Sequence, residues 1–84
     1  MNTVKTVQIN AMVESIKTTI ELINYALQDS DLEFLEIYNQ SLQTNIAILS
    51  ALRSGAKLDY IQKATLEGVM MAIQEIEKEA KNNV

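Results

Sequence analysis

The chain has 84 residues, a formal net charge of −4 at pH 7 and a hydrophobic fraction of 48%. The length predicts a single domain over residues 1–84, and the hydrophobic content is too high for a chain that is disordered by composition. The sequence has no His, Cys, Trp or Pro. That composition excludes disulfides, thiol nucleophiles and metal sites built on cysteine or histidine.

The seven Lys and Arg residues are scattered along the chain. No basic stripe is present to neutralise phosphates, so we expect no direct binding to nucleic acid, and the negative charge disfavours an anionic membrane surface. The longest apolar run covers residues 69–73, far short of the ~20 residues of a membrane-spanning helix. The first residues show no signal-peptide pattern, and we therefore expect a cytoplasmic protein without membrane association.

The first predicted helix covers about residues 3–28. Its apolar side chains recur at alternating four- and three-residue steps, which places them on one helical seam. The seam consists of Ile9, Val13, Ile16, Ile20, Ile23 and Leu27. We expect this seam to be buried, with Ile20 near its centre. Residues 28–31 break the pattern, and Ser30 with Glu33 is predicted to form a capping box for the next helix.

The second predicted helix covers about residues 31–53 and carries two adjacent stripes. One stripe is Leu35, Tyr38, Leu42, Asn45, Leu49 and Leu52, and the other is Phe34, Ile37, Ser41, Thr44, Ile48 and Ala51. Two stripes predict neighbours on both sides, as expected for the middle helix of three. Gly55 is predicted to end the helix in the left-handed conformation.

The third predicted helix covers about residues 60–81, with Asp59 as its N-cap and Gln62 three residues later. Its apolar stripe is Leu66, Val69, Ile73, Ile76 and Ala80. A second row, spaced by four, contains small residues: Ala64, Gly68 and Ala72. We expect residues 82–84 to fray at the end of this helix.

The three helices are similar in length and their connections are short. These features predict an all-α fold, a three-helix up-down-up antiparallel bundle built on an N-terminal αα-hairpin. Such a bundle can dimerise into a larger one.

The residue types in the sequence do not favour catalysis or metal binding. Without His and Cys, acid–base catalysis would depend on carboxylates and tyrosines alone, so we predict no enzyme activity and no cofactor. Asp29 and Asp31 alternate as in a calcium loop, but Phe34 and Gln40 replace the Gly and Glu that the loop requires. No metal site is predicted.

The candidate binding residues are those that the predicted bundle does not use. Leu22 and Tyr25 lie off the main seam, close to Phe34 and Ile37 at the same end of the hairpin. These four residues either form an exposed patch that marks a partner site or are covered by the third helix. The full set of candidate partner-binding residues is Leu22, Tyr25, Phe34, Ile37, Asn45, Ile48, Ala64, Gly68, Met71 and Ala72.

Two of these candidates have two interpretations each. Asn45 interrupts an apolar stripe, so it is either buried and paired, specifying register, or it lies at the margin with Ile46 in the core. Gly68 and its row of small residues permit a close helix contact. That contact is either with the first helix, which we favour, or with a partner helix.

These features together predict a small non-enzymatic protein-binding or regulatory module. Its partner would be a helix of another protein or a second copy in a homodimer, as in a small chaperone, an anti-activator or a phage or plasmid accessory protein. One alternative is a purely structural, self-assembling protein. A weaker alternative is an acidic mimic of nucleic acid, because the eleven acidic residues form no dense array.

Overall fold

The computed structural model describes residues 3–82, which form three α-helices. They are α1 (Thr3–Gln28), α2 (Leu32–Ser54) and α3 (Tyr60–Asn82). No strand occurs within this range, so the predicted all-α, three-helix fold is confirmed, and each helix end lies within one residue of its predicted position. The helix continues through Asn82, and the rest of the tail that was expected to fray, residues 83–84, lies outside the described residues.

Within residues 3–82, no helix is both long enough and apolar enough to cross a membrane.

The turn between α1 and α2 differs from the prediction. Ser30 adopts a left-handed conformation with φ of 55°, and its N–H bonds to the Leu27 carbonyl at 3.2 Å while the Asp31 N–H bonds to the Ala26 carbonyl at 2.9 Å. This bonding pattern is a Schellman motif that ends α1. The predicted Ser30–Glu33 capping box is therefore wrong, because the backbone of Ser30 belongs to the end of α1.

Asp31 takes over the role of N-cap for α2. Its Oδ1 accepts a hydrogen bond from the Phe34 N–H at 3.2 Å, which satisfies one of the free donors of the first turn. Because α1 ends through a left-handed residue immediately before this cap, the chain reverses within three residues.

The connection between α2 and α3 follows the predicted signals. Gly55 has a φ of 77°, and the Ala56 N–H bonds to the Ala51 carbonyl at 3.0 Å. Asp59 and Gln62 form a reciprocal capping box. The Gln62 N–H donates to the Asp59 Oδ1 at 2.7 Å, and the Asp59 N–H donates to the Gln62 Oε1 at 3.0 Å. Both ends were correctly predicted because these signals are local.

The buried face of α1 is rotated from the predicted seam. The buried residues Met12, Thr19 and Ala26 recur every seven residues along α1. Two residues of the predicted seam, Ile20 and Leu27, remain 46% and 56% exposed. The expectation that Ile20 would be buried at the centre of the seam is therefore wrong.

The rotation of the buried face of α1 is explained by side chains that are small or that form a hydrogen bond within α1. The Thr19 hydroxyl donates to the Ser15 backbone carbonyl at 2.8 Å, so Thr19 can be buried without an unpaired polar group. Thr19 and Ala26 are also smaller than isoleucine, which lets α1 and α2 approach closely. The first stripe of α2 faces this seam, with Asn45 and Leu52 buried and its remaining members partly buried.

The hydrophobic core lies at one end of the molecule, where all three helices meet. Its buried residues are Met12, Ile48, Leu52 and Leu66, with Met12 and Ile48 fully enclosed. This core joins the first half of α1, the last half of α2 and the first half of α3.

Beyond this core, α3 diverges from the hairpin. Along its apolar stripe, exposure rises from 5% at Leu66 to 66% at Ile76, and Ala80 is also exposed. The Cα dimensions of 43 × 38 × 19 Å contain two long axes, whereas three aligned helices of about 39 Å or less would give only one. The second half of α3 and the turn end of the hairpin therefore lie apart.

Candidate partner-binding surface

Four predicted residues form an exposed apolar patch at the turn end of the hairpin. Leu22, Tyr25, Phe34 and Ile37 are 37%, 64%, 50% and 51% exposed. Leu22, Tyr25 and Phe34 line one shallow depression, and the Phe34 ring stacks on Tyr38 with 5.8 Å between ring centroids. The stacking leaves half of the Phe34 surface open to solvent, so this side chain remains available for contact with a partner.

A groove between α1 and α3 lies next to this patch. Its floor on α1 includes Thr18 and Thr19, and its wall on α3 includes Val69, Ile73 and Ile76. Thr18 precedes Leu22 by one helical turn, so the two residues share one face of α1. We call the patch and this groove together the open cleft, bounded by the hairpin on one side and by the second half of α3 on the other.

Acidic residues occupy the rim of the open cleft. Glu14 and Glu77 flank the groove, while Asp29 and Asp31 flank the depression at the hairpin end. Lys17 approaches Glu14 at 3.5 Å, but both side chains are exposed, so this ion pair contributes little to stability. The open cleft thus combines the apolar hairpin patch and an apolar α3 wall with polar side chains on α1 and a mainly negative rim.

Asn45 and Ile48 lie inside the protein. Asn45 is 3% exposed, and its Nδ2 donates to the Ser15 Oγ at 2.9 Å, which links α2 to α1. Ile46 is 48% exposed, so the interpretation that put Ile46 in the core is wrong. Asn45 and Ile48 stabilise the hairpin from within, and neither adds to the accessible surface of the cleft.

The small residues in the row on α3 have different surroundings. Ala64 and Gly68, together with the nearby Met71, are exposed on the side of α3 that faces away from the hairpin, with Met71 at 66% exposure. A methyl group built at Gly68 would meet no atom within 4 Å, so the favoured contact of Gly68 with α1 is wrong. Ala72 lies elsewhere and lines the groove.

Sequence reasoning did not single out the α3 wall of the open cleft. Ile73 and Ile76 belong to the regular stripe of α3 and were therefore assigned to the core. Ile73 is partly buried and Ile76 is 66% exposed, which follows from the divergence of α3, for which the local sequence carries no signal.

Within residues 3–82, no group of three or more acidic side chains is arranged to hold a metal ion. Every buried side-chain nitrogen and oxygen in this part of the chain has a hydrogen-bond partner. No protein-family model, curated protein or solved structure matches the chain. The functional argument therefore depends on the surface of the protein itself.

The exposed area is large for a protein of this mass. The accessible surface is 6442 Å² for 9.4 kDa, whereas a compact monomer of that mass exposes about 5,000 Å². The excess is about 1,400 Å².

Proposed function

We propose that this protein is a small non-enzymatic binding module that uses its apolar helix faces to bind a helix of a partner protein. The observation that carries the proposal is the group of large apolar side chains that stay exposed around one cleft: Tyr25, Phe34 and Ile37 on the hairpin and Ile76 on α3. Exposed apolar patches of this kind are typical of interaction sites.

The binding mechanism would be insertion of a helix into the open cleft. Apolar side chains of the partner would pack between the hairpin patch and Ile73 and Ile76 of α3, which is the helix-in-groove mode of recognition. The acidic rim would favour partners with basic flanks and would increase the rate of encounter with them. We propose that the three helices keep the up-down-up order that the sequence predicts, with the inserted helix held between the hairpin and α3.

A regulatory role of the type found in small chaperones, anti-activators or phage and plasmid accessory proteins would fit this mechanism. A purely structural, self-assembling protein is the second candidate. It is favoured by the presence of both an apolar cleft and an uncovered apolar helix in the same chain.

Site-specific photo-crosslinking in the native host tests the proposal. A photoreactive phenylalanine analogue at Tyr25, which is 64% exposed in the patch, should yield a discrete adduct with another protein chain. The matched control places the same analogue at Tyr60, which is 85% exposed at the start of α3. An absence of adducts at position 25, or the same adducts from both positions, would contradict binding through the open cleft.

A further inference from the structure

We propose that the occupant of the open cleft is a basic amphipathic helix of a different protein, with Lys or Arg within one helical turn of its apolar side chains. This inference rests on the proposed function, because it gives the chemical character of the partner for the same surface. It follows from the distribution of charge around the hairpin patch and from the charges of the three helices.

The charges of the chain are unevenly distributed along the sequence. Residues 18–52 contain five of the eleven acidic residues and no Lys or Arg. This segment includes the whole turn end of the hairpin and all four residues of the patch. The neighbouring basic residue on α1, Lys17, already approaches Glu14 at 3.5 Å. The negative charge beside the patch is therefore not balanced by any basic residue from this part of the hairpin.

Acidic residues alternate with the exposed apolar ones on both helices of the hairpin. On α1, Glu21 and Asp29 stand four residues before and after Tyr25, and on α2, Glu33 stands four residues before Ile37. Residues four apart lie on the same face of a helix, so each of these carboxylates adjoins an exposed apolar side chain. All three acidic residues are themselves exposed.

This alternation determines what a partner must supply. A helix that covers the apolar side chains also removes water from the neighbouring carboxylates, and burial of an unpaired charge is costly. A Lys or Arg of the partner reduces that cost, because its aliphatic stem packs on apolar surface while its charged group reaches a carboxylate. A neutral apolar helix would leave the carboxylates unpaired, and a small cation would leave the apolar side chains exposed.

A second copy of the chain does not supply such a helix. In α1 the acidic and basic residues are equal in number, and in α2 and α3 the acidic residues exceed the basic ones. The exposed second half of α3 carries Glu75, Glu77 and Glu79, which have the same sign as the acidic rim. The chemistry of the cleft therefore favours a helix from a different protein.

The surroundings of Met71 provide a comparison within the same chain. Glu67 and Glu75 stand four residues before and after Met71, which is 66% exposed. Lys63 and Lys78 each lie within one helical turn of one of these acidic residues, a spacing at which opposite charges attract each other. This part of α3 thus has the apolar and acidic spacing found in the patch, but its acidic residues have basic neighbours.

Binding of two designed peptides to the full chain tests the inference. One is a helical amphipathic peptide of Leu and Lys with a single Trp, and the other has Glu at every Lys position. The chain has no Trp, so the emission of the peptide Trp reports burial of the peptide alone. We expect a dissociation constant on the order of micromolar for the Leu–Lys peptide, and binding at least tenfold weaker for the Leu–Glu peptide.

Charge variants locate the site that selects the basic peptide. Glu21→Gln combined with Asp29→Asn has a matched control in Glu67→Gln combined with Glu75→Gln, because both pairs remove the same charge around an exposed apolar residue. We expect the change at the patch to weaken binding of the Leu–Lys peptide at least fivefold, and the control to change it less than twofold.

A tyrosine pair tests the apolar part of the same contact. Tyr25→Ser has a control in Tyr60→Ser, with 64% and 85% exposure. We expect only Tyr25→Ser to weaken binding of the Leu–Lys peptide at least fivefold. Circular dichroism verifies that each variant folds, and Tyr25→Gln is the substitute if Tyr25→Ser does not.

Equal binding of the two peptides, or no binding of either, would overturn the basic partner. Equal weakening by the patch variants and their controls would overturn the patch as its site. These results differ from failure of the proposed function. A foreign adduct from position 25 together with equal binding of the two peptides would leave the binding function intact and reject only the basic character of the partner.

Discussion

Replacing Asn45 by Ala should lower the free energy of unfolding by about 1–3 kcal/mol. Asn45 is 3% exposed and its Nδ2 donates to the Ser15 Oγ at 2.9 Å. Loss of that hydrogen bond costs about 1 kcal/mol net, and loss of the buried amide also removes packing against α1. The higher helix propensity of Ala offsets about 0.5 kcal/mol of this cost.

Urea unfolding at one low protein concentration measures the effect without interference from association. The control is Asn39→Ala at an exposed position of the same helix, which has the same propensity gain and no buried partner. Ser15→Ala completes a double-mutant cycle with Asn45→Ala, and we expect a coupling of about 0.5–1.5 kcal/mol. The reasoning would be refuted if Asn45→Ala and Asn39→Ala had equal effects, or if the Ser15 and Asn45 effects were additive.

Three further predictions concern the helix ends and the core. Ser30→Gly should stabilise the protein by about 0.5–1 kcal/mol because Ser30 has a positive φ. Asp31→Ala should cost about 0.5–2 kcal/mol of unfolding free energy because the N-cap of α2 is lost. Urea unfolding in which Ser30→Gly is destabilising would contradict the left-handed conformation of Ser30. Ile48→Ala should lower the free energy of unfolding by about 2–5 kcal/mol. Ile20→Ala should lower it by under about half as much, because Ile20 is 46% exposed. The reverse order would support the buried seam that was predicted from the sequence. Gly55→Ala should lower the free energy of unfolding by about 1 kcal/mol, because residue 55 has a φ of 77°. A midpoint of thermal unfolding equal to that of the wild type would contradict the left-handed cap.

The helix boundaries could be predicted because their signals are local. Gly55 provides the left-handed end of α2, and Asp59 with Gln62 forms the capping box that its spacing indicates. Ser30 and Asp31 show the limit of such signals. Serine and aspartate are both favourable N-cap residues. Which of the two caps α2 is determined by the end of α1, because the backbone of Ser30 takes part in the Schellman motif there.

The buried face of α1 could not be predicted from the apolar pattern alone. The branched residues around Ile20 form the more hydrophobic stripe, yet Thr19 and Ala26 are buried. Thr19 can be buried because its hydroxyl bonds to the backbone of α1. The distance between α1 and α2 depends on the small size of Thr19 and Ala26. These are properties of the assembled hairpin, whereas the hydrophobic pattern reports only single side chains.

The candidate surface could be predicted in part. Leu22, Tyr25, Phe34 and Ile37 are exposed at the hairpin end, as the off-seam argument expected, and their role in binding stays a prediction. The α3 wall was not foreseen, since divergence of α3 depends on which half of its stripe the small core can cover.

The most direct test of the central claim compares cross-linking at a position in the open cleft with cross-linking at a matched position outside it. The sequence has no native cysteine, so Ile37→Cys in the cleft and Ile46→Cys outside it, at 51% and 48% exposure on α2, each provide the only thiol for a photoreactive maleimide label. If a partner helix packs in the open cleft, the label at position 37 will join the chain to a discrete protein from the native host, and the label at position 46 will not. If both positions give the same products, or position 37 gives none, the open cleft does not bind a partner helix.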